Sequence, residues 1–256
     1  MRVLRLVVVG WLFHIKSLTL SWFFLLTAVF TPLLVATIAY YMFRAGGKPG
    51  TLFYASLGAA VFGIWSSTLF GSGGAIQWQR WQGTLELLVA APAPFFLVLL
   101  PLTLATSTIG IYSLTSTLLW GRLLFGIPFH VEHPLAFAAA IPATILGLGL
   151  LGLVLAATFV LYRHANALSN MLEQPVLLVT GMLVPLSLLP GWVHPIAWVL
   201  SPTWGARGLR EAALGGSPWP EIGMTLGLGI AYVLIGAFCL RHFEVAARRE
   251  ATLSLT

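Results

Sequence analysis

The sequence predicts an all-α integral membrane protein: six transmembrane helices, an N-terminal interfacial helix, a cytoplasmic amphipathic helix between spans two and three, and a re-entrant helical pair between spans five and six. Three observations predict this. Of 256 residues, 59% are hydrophobic and 8% charged, where soluble domains carry roughly 25% charged residues. Mean hydropathy is +0.94. The apolar runs reach the length of about 18 residues or more at which a helix can satisfy its own backbone across lipid. They are too long and too uniform for the alternating strands of a membrane barrel.

The elements follow in order. Met1-Arg2-Val3-Leu4-Arg5 and the apolar patch to Phe13 imitate a secretory leader, but Lys16 and a full-length span come next with no small-residue cleavage site. Residues 1–16 are therefore expected to lie on the membrane as an interfacial helix. The spans are expected at 18–43, 52–76, 93–119, 134–161, 174–190 and 221–241. Gly46-Gly47-Lys48-Pro49-Gly50 is a turn cluster, Pro92 and Pro94 bracket a helix start, and Pro134 suits a first helical turn. Residues 77–91 form the amphipathic segment, 191–220 the re-entrant pair and 242–256 a tail, within one membrane domain over 1–256.

Basic residues set the orientation. An even number of spans places Arg2, Arg5, Lys16, Arg80, Arg163, Arg241, Arg248 and Arg249 on the side of the termini, and Arg44, Lys48, Arg122, Arg207 and Arg210 on the other. The excess predicts cytoplasmic termini, and with them a cytoplasmic 77–91 segment. Residues 191–220 are too interrupted by Pro and Gly to cross but rich in Trp. Pro190-Gly191-Trp192-Val193-His194-Pro195 and Ser201-Pro202-Thr203-Trp204-Gly205 read as two pieces dipping into the outer leaflet. Trp192 and Trp204 serve there as boundary anchors or as an outer gate.

Several chemistries are excluded. The net charge of +6 and pI near 10.0 come from scattered residues, which suits anionic lipid better than nucleic acid. Cys239 stands alone, and no cluster of metal-ligand spacing occurs. There is no aspartate, so neither a Ser-His-Asp triad nor a Walker B acid exists. Gly47-Lys48 runs into Pro49 and makes no phosphate loop. No catalytic residue is assigned. The glutamates at 86, 132, 173, 211, 221, 244 and 250 fall near expected span ends, in loops or in the tail, leaving few stations for a proton relay. Gly147-Leu148-Gly149-Leu150-Leu151-Gly152 fits GxGxxG only formally. Inside a span it is read as a helix-contact stripe, like Gly223-x-x-x-Gly227.

A chain without its own energy source directs attention to residues 77–91. At about 100° per residue, Trp78, Trp81, Leu85 and Leu88 share one stripe, and Gln79, Gly83 and Glu86 the opposite face. Gly83 costs roughly 1 kcal/mol inside a helix relative to Ala, which asks for a bend or a close backbone approach.

Arg80-x-x-Gly83-Thr84-Leu85-Glu86-x-Leu88-x-x-x-Pro92 resembles the cytoplasmic signature of type-2 ATP-binding-cassette (ABC) exporter permeases, the group with drug, lipid and polysaccharide exporters. The resemblance extends to Gly181…Pro185…Leu189-Pro190-x-Trp192, to Pro202-x-Trp204 through Leu209-Arg210, and to Gly215-Gly216. It implies a multi-pass protein of the bacterial cytoplasmic membrane in which Gln79, Arg80, Gly83, Thr84, Leu85 and Glu86 belong to a coupling helix. That helix would dock on a separate ABC ATPase subunit, two copies per complex, with ATP and Mg2+ held in that subunit and none in this chain. It also implies a second permease, identical or paralogous. Family members usually flank the arginine with acidic residues, where this chain has Gln79 and Trp81.

Cargo is hinted at by the hydroxyls of the third span. Thr106, Tyr112, Ser113 and Thr117 are the expected lining of a translocation path, unless the preceding helical turn satisfies such groups. A small hydrophobic or amphipathic compound is the expected cargo, with a lipid or lipid-linked glycan as the alternative. A passive channel and a non-transporting scaffold are the rival classes.

Overall fold

The computed structural model describes residues 2–45, 51–83, 88, 93–128, 130–161 and 165–250. Among them the regular structure is helical: α1 (Arg2–Leu20), α2 (Trp22–Ala45), α3 (Thr51–Trp81), α4 (Phe95–Phe125), α5 (Pro134–Leu161), α6 (Ala165–Val179), a 3-10 turn (Leu186–Leu188), α7 (Val193–Trp198), α8 (Ser201–Leu214) and α9 (Trp219–Glu250). The turn cluster at 46–50 and the tail beyond Glu250 lie outside the described residues.

Helix α3 is the axle of the bundle. Helices α2, α4, α5, α6 and α8 pack on it, and Leu57, Phe62, Ile64, Trp65 and Leu69 along it are fully buried. Lipid tails are as apolar as leucine, so what holds these helices together is close packing, not escape from water. Helix α5 achieves this with the glycines of its 147–152 stripe. A Cβ at Gly147 would stand 2.5 Å from Thr225 of α9, one at Gly149 2.6 Å from Ser107 of α4, and one at Gly152 2.7 Å from Thr68 of α3. Each glycine admits a different neighbour. Gly223 and Gly227, by contrast, meet nothing within 4 Å; the contact glycines of α9 are Gly229 and Gly236, against Leu150 and Leu153.

Among the described residues, six helices are long and apolar enough to cross a membrane: Val3–Leu20, Phe24–Ala45, Leu52–Trp81, Phe95–Phe125, Pro134–Val160 and Trp219–Val245. This set differs from the predicted one at two places. Helix α1 continues past residue 16 to Leu20 and is separated from α2 only by an elbow at Ser21, whose N–H donates to the Leu18 carbonyl at 3.1 Å. It packs on α4, with Gly10 against Pro101 and Trp11 Nε1 donating to Thr108 Oγ1 at 3.1 Å. The segment expected as a span at 174–190 is instead the 15-residue helix α6, begun at Ala165 and followed by turns. At 1.5 Å per residue it is about 22 Å long, short of the ~30 Å hydrocarbon core. The predicted tail is helical as far as Glu250, as the end of α9.

Candidate functional site

At one end of the bundle, α3 does not stop at residue 76 but runs on to Trp81. Residues 77–81 are thus its last turns and not the start of a separate helix. Gly83, at φ +66°, closes the turn with its N–H on the Arg80 carbonyl at 3.1 Å. A left-handed residue just past a helix terminus is the usual stop, and glycine takes it without a Cβ clash. The single helix expected over 77–91 is therefore interrupted at Gly83. Arg80 Nη2 donates to the Val160 carbonyl at 2.7 Å, tying the end of α3 to the end of α5. Gln79 is half-buried, and Leu88 packs on the main core. Thr84, Leu85 and Glu86 lie outside the described residues. At the same end Glu244 Oε2 of α9 accepts the Phe95 N–H at 3.1 Å, occupying an amide that the start of α4 leaves open.

The hydroxyls expected along a path in the third span are placed mostly between helices of this chain. Thr106 is buried against Gly71 of α3 and donates to the Thr103 carbonyl at 2.9 Å. Ser113 is buried beside Gly63 and donates to the Ala28 carbonyl of α2. Thr117 is buried with its hydroxyl unpartnered, and its carbonyl accepts the Tyr40 hydroxyl at 3.3 Å. Tyr112 is 45% exposed on the outer face. The four do not converge on one space.

A different set of residues does converge. Helices α2 and α6 both pack on α3 and scarcely touch each other, leaving a cleft of about 530 Å³ with α3 as its floor. Thr27, Thr31 and Phe24 face it from α2, Ser66, Ser67 and Phe70 from α3, and Asn170 and Glu173 from α6. Ser66 Oγ donates to Glu173 Oε1 at 2.7 Å. Ser66 is the midpoint of Thr51–Trp81, so Glu173 stands at mid-depth of the bundle and not near a span end. Hydropathy assigns Asn166, Ser169, Asn170 and Glu173 to a loop because it averages over a window. The structure folds them into α6, where the Ser66 hydroxyl reaches one oxygen of the Glu173 carboxylate from another helix. A signal was available: Asn170 and Glu173 are three residues apart and fall on one helical face.

The opposite end holds α7 and α8, the two short helices at the place expected for a re-entrant pair. Trp192 is 69% exposed. Trp204 Nε1 donates to the Trp198 carbonyl at 2.8 Å, and its ring pairs with Trp198 at 6.4 Å, not with Trp192. Arg207 lies over the Trp204 ring at 5.1 Å and meets Glu221 Oε1 at 3.3 Å. Arg210 is the group that sequence reasoning passed over. Buried, it donates to the carbonyls of Tyr54, Gly181 and Met182 and stacks 3.4 Å from the Tyr54 ring centroid. Where α6 ends, at Gly181 with φ +74°, the chain leaves carbonyls without helical partners. Arg210 supplies them. Burial pushes its proton affinity down to about 10, partly opposed by Tyr54, so it stays a cation at neutral pH.

No curated protein matches the chain. Residues 6–214 match the family described as ABC-2 type transporter, a stretch that takes in α1 to α8 and therefore the elbow, the axle, the cleft and the pair of short helices. With long apolar helices packed around a central rod, a broken α6 and the Gly83 turn at the end of α3, the chain is a multi-pass membrane permease and belongs to the ABC-2 type transporter family.

Proposed function

We propose that this chain is the membrane-spanning subunit of an ATP-driven exporter that moves a small hydrophobic or amphipathic compound outward, powered by a separate nucleotide-binding subunit. Two permeases, identical or paralogous, form the membrane unit, and two ATPase subunits that hold ATP and Mg2+ dock beneath. The termini and residues 79–86 are cytoplasmic, in a bacterial inner membrane, with α1 lying along the interface and α6 together with the turns after it completing the sixth crossing. The pair α7 and α8 re-enters the outer leaflet.

The observation that carries this reading is the continuity of α3. The helix leads unbroken from the Gly83 turn to the centre of the bundle, where it contacts α2, α4, α5, α6 and α8. Force applied to residues 79–86 by a closing ATPase therefore reaches the whole protomer through one rod. Arg80, anchored on Val160, carries α5 with it. Helices packed this closely shift between discrete arrangements instead of deforming smoothly, which suits opening of a path. The cleft between α2 and α6, walled by phenyl rings, hydroxyls and an amide, supports an amphipathic cargo over a purely apolar one.

The test is reconstitution with the partner ATPase in vesicles. Gly83→Trp forces a bulky residue into a left-handed backbone, and Glu86→Trp alters the signature itself. Each is expected to lower export about ten-fold or more while ATP hydrolysis continues, the signature of lost coupling. Export at the unaltered rate in both would defeat the reading.

A further inference from the structure

Glu173 faces the cleft between α2, α3 and α6, and no basic side chain among the described residues lines that cleft with it. Lysine, arginine and histidine are absent from the described lining, and its partner is the hydroxyl of Ser66. A carboxylate at mid-depth is costly to keep in a hydrocarbon setting unless something compensates it, so such groups mark the route of an ion or ligand. Ser67 adds a second sign. Its side-chain oxygen has no partner although the residue is only 6% exposed, and it lines the same space.

We propose that the cleft is a cargo-binding site selective for an organic cation, with Glu173 as its counter-ion; the inference rests on the exporter reading above and names the class of compound exported. Cationic cargo would place its charge at the Glu173 carboxylate. The oxygens of Thr31 and Asn170 can accept from an ammonium N–H, and the rings of Phe24 and Phe70 attract the same charge. A bare metal ion suits the site poorly, since it demands several oxygens closing on a small sphere, whereas these donors are spread around about 530 Å³ between phenyl rings. That volume fits a drug-sized molecule. An anionic cargo would be repelled, and a neutral one would leave the carboxylate uncompensated.

The experiment uses the purified chain in lipid nanodiscs and two probes of similar shape, tetraphenylphosphonium and uncharged triphenylphosphine oxide, with dissociation constants from equilibrium dialysis. Glu173→Gln is expected to weaken tetraphenylphosphonium binding by about ten-fold or more, the usual consequence of losing one member of a buried charge pair, and to change triphenylphosphine oxide binding by less than about two-fold. Glu173→Asp should recover most of the preference. Equal cation binding by wild type and Glu173→Gln, or equal losses for both probes, would overturn the proposal. Should that variant fail to fold, the unaltered chain still decides: tetraphenylphosphonium is expected to protect Glu173 from dicyclohexylcarbodiimide, read by peptide mass spectrometry, and no protection would refute the site. Binding needs no ATPase subunit, so failure here leaves the coupling reading intact, and failure of the Gly83 and Glu86 variants leaves the cation preference standing.

Discussion

Arg210 concentrates at one residue the problem of breaking a helix inside a membrane protein. A lysine has one compact charge and cannot reach three carbonyls in the fork that a guanidinium presents. Here the fork serves Tyr54 on α3 and Gly181 and Met182 beyond α6, while its plane stacks on the Tyr54 ring. Gly58 takes part as well, because a Cβ there would collide with the Met182 carbonyl. Arg210→Ala leaves those carbonyls buried and unpaired, and the expected loss of stability is about 3 kcal/mol. Arg210→Lys should recover less than half of it. Thermal unfolding of the detergent-purified variants checks both, and a Lys variant as stable as wild type would show that charge alone, without the planar fork, suffices.

At the scale of the element, the glycines of α5 and α9 separate two kinds of helical surface. Gly149 admits Ser107 and Leu104 of α4, and Gly152 admits Thr68 and Ser72 of α3, so Gly149→Val is expected to destabilise the fold by about 2 kcal/mol through overpacking. Gly223→Ala and Gly227→Ala face open space and should stay within about 0.5 kcal/mol of wild type; chemical unfolding in mixed micelles orders the three. Both stripes look alike in sequence, since spacing reveals that small residues share a face but not what lies opposite. The same limit explains α6. The apolar runs at 52–76, 93–119 and 134–161 have counterparts in α3, α4 and α5, with ends that differ by up to six residues, whereas α6 begins nine residues before 174 with polar residues, and its Glu173 finds a partner on α3. Hydropathy sums one segment at a time and cannot register a hydroxyl on another helix. At the Trp81 end of α3 the Gly83 turn was readable as a demand for a bend. The unbroken reach of α3 to Trp81 was not, because Gln77, Gln79 and Arg80 read as the start of a separate amphipathic helix until Arg80 is seen on Val160.

For the whole molecule, the hydrogen bonds sort the chain into two ends. One joins Arg80 to Val160 and Phe95 to Glu244; the other joins Arg210 to Tyr54 and Gly181, and the Glu132 and His133 N–H groups to the Ala213 and Ala212 carbonyls. Energy transfer from an ATPase requires the first end to face the cytoplasm, because ATP is there and α3 presents its terminus there. The excess of Arg and Lys expected at that end points the same way. Gln82, just past α3, and Ser217, between α8 and α9, are both exposed and sample the two ends. In a Cys239→Ser background, which removes the exposed native thiol, Gln82→Cys is expected to react with a membrane-impermeant maleimide only in inverted vesicles, and Ser217→Cys only in intact cells. The reverse pattern would place the Gly83 turn outside, beyond the reach of any cytoplasmic ATPase, and the proposed coupling route would fail with it. The expected pattern would instead leave α3 as a rod with its foot in the cytoplasm and its midpoint at Ser66 beside the cleft, so that one displacement would act on both the proposed ATPase contact and the proposed cargo site.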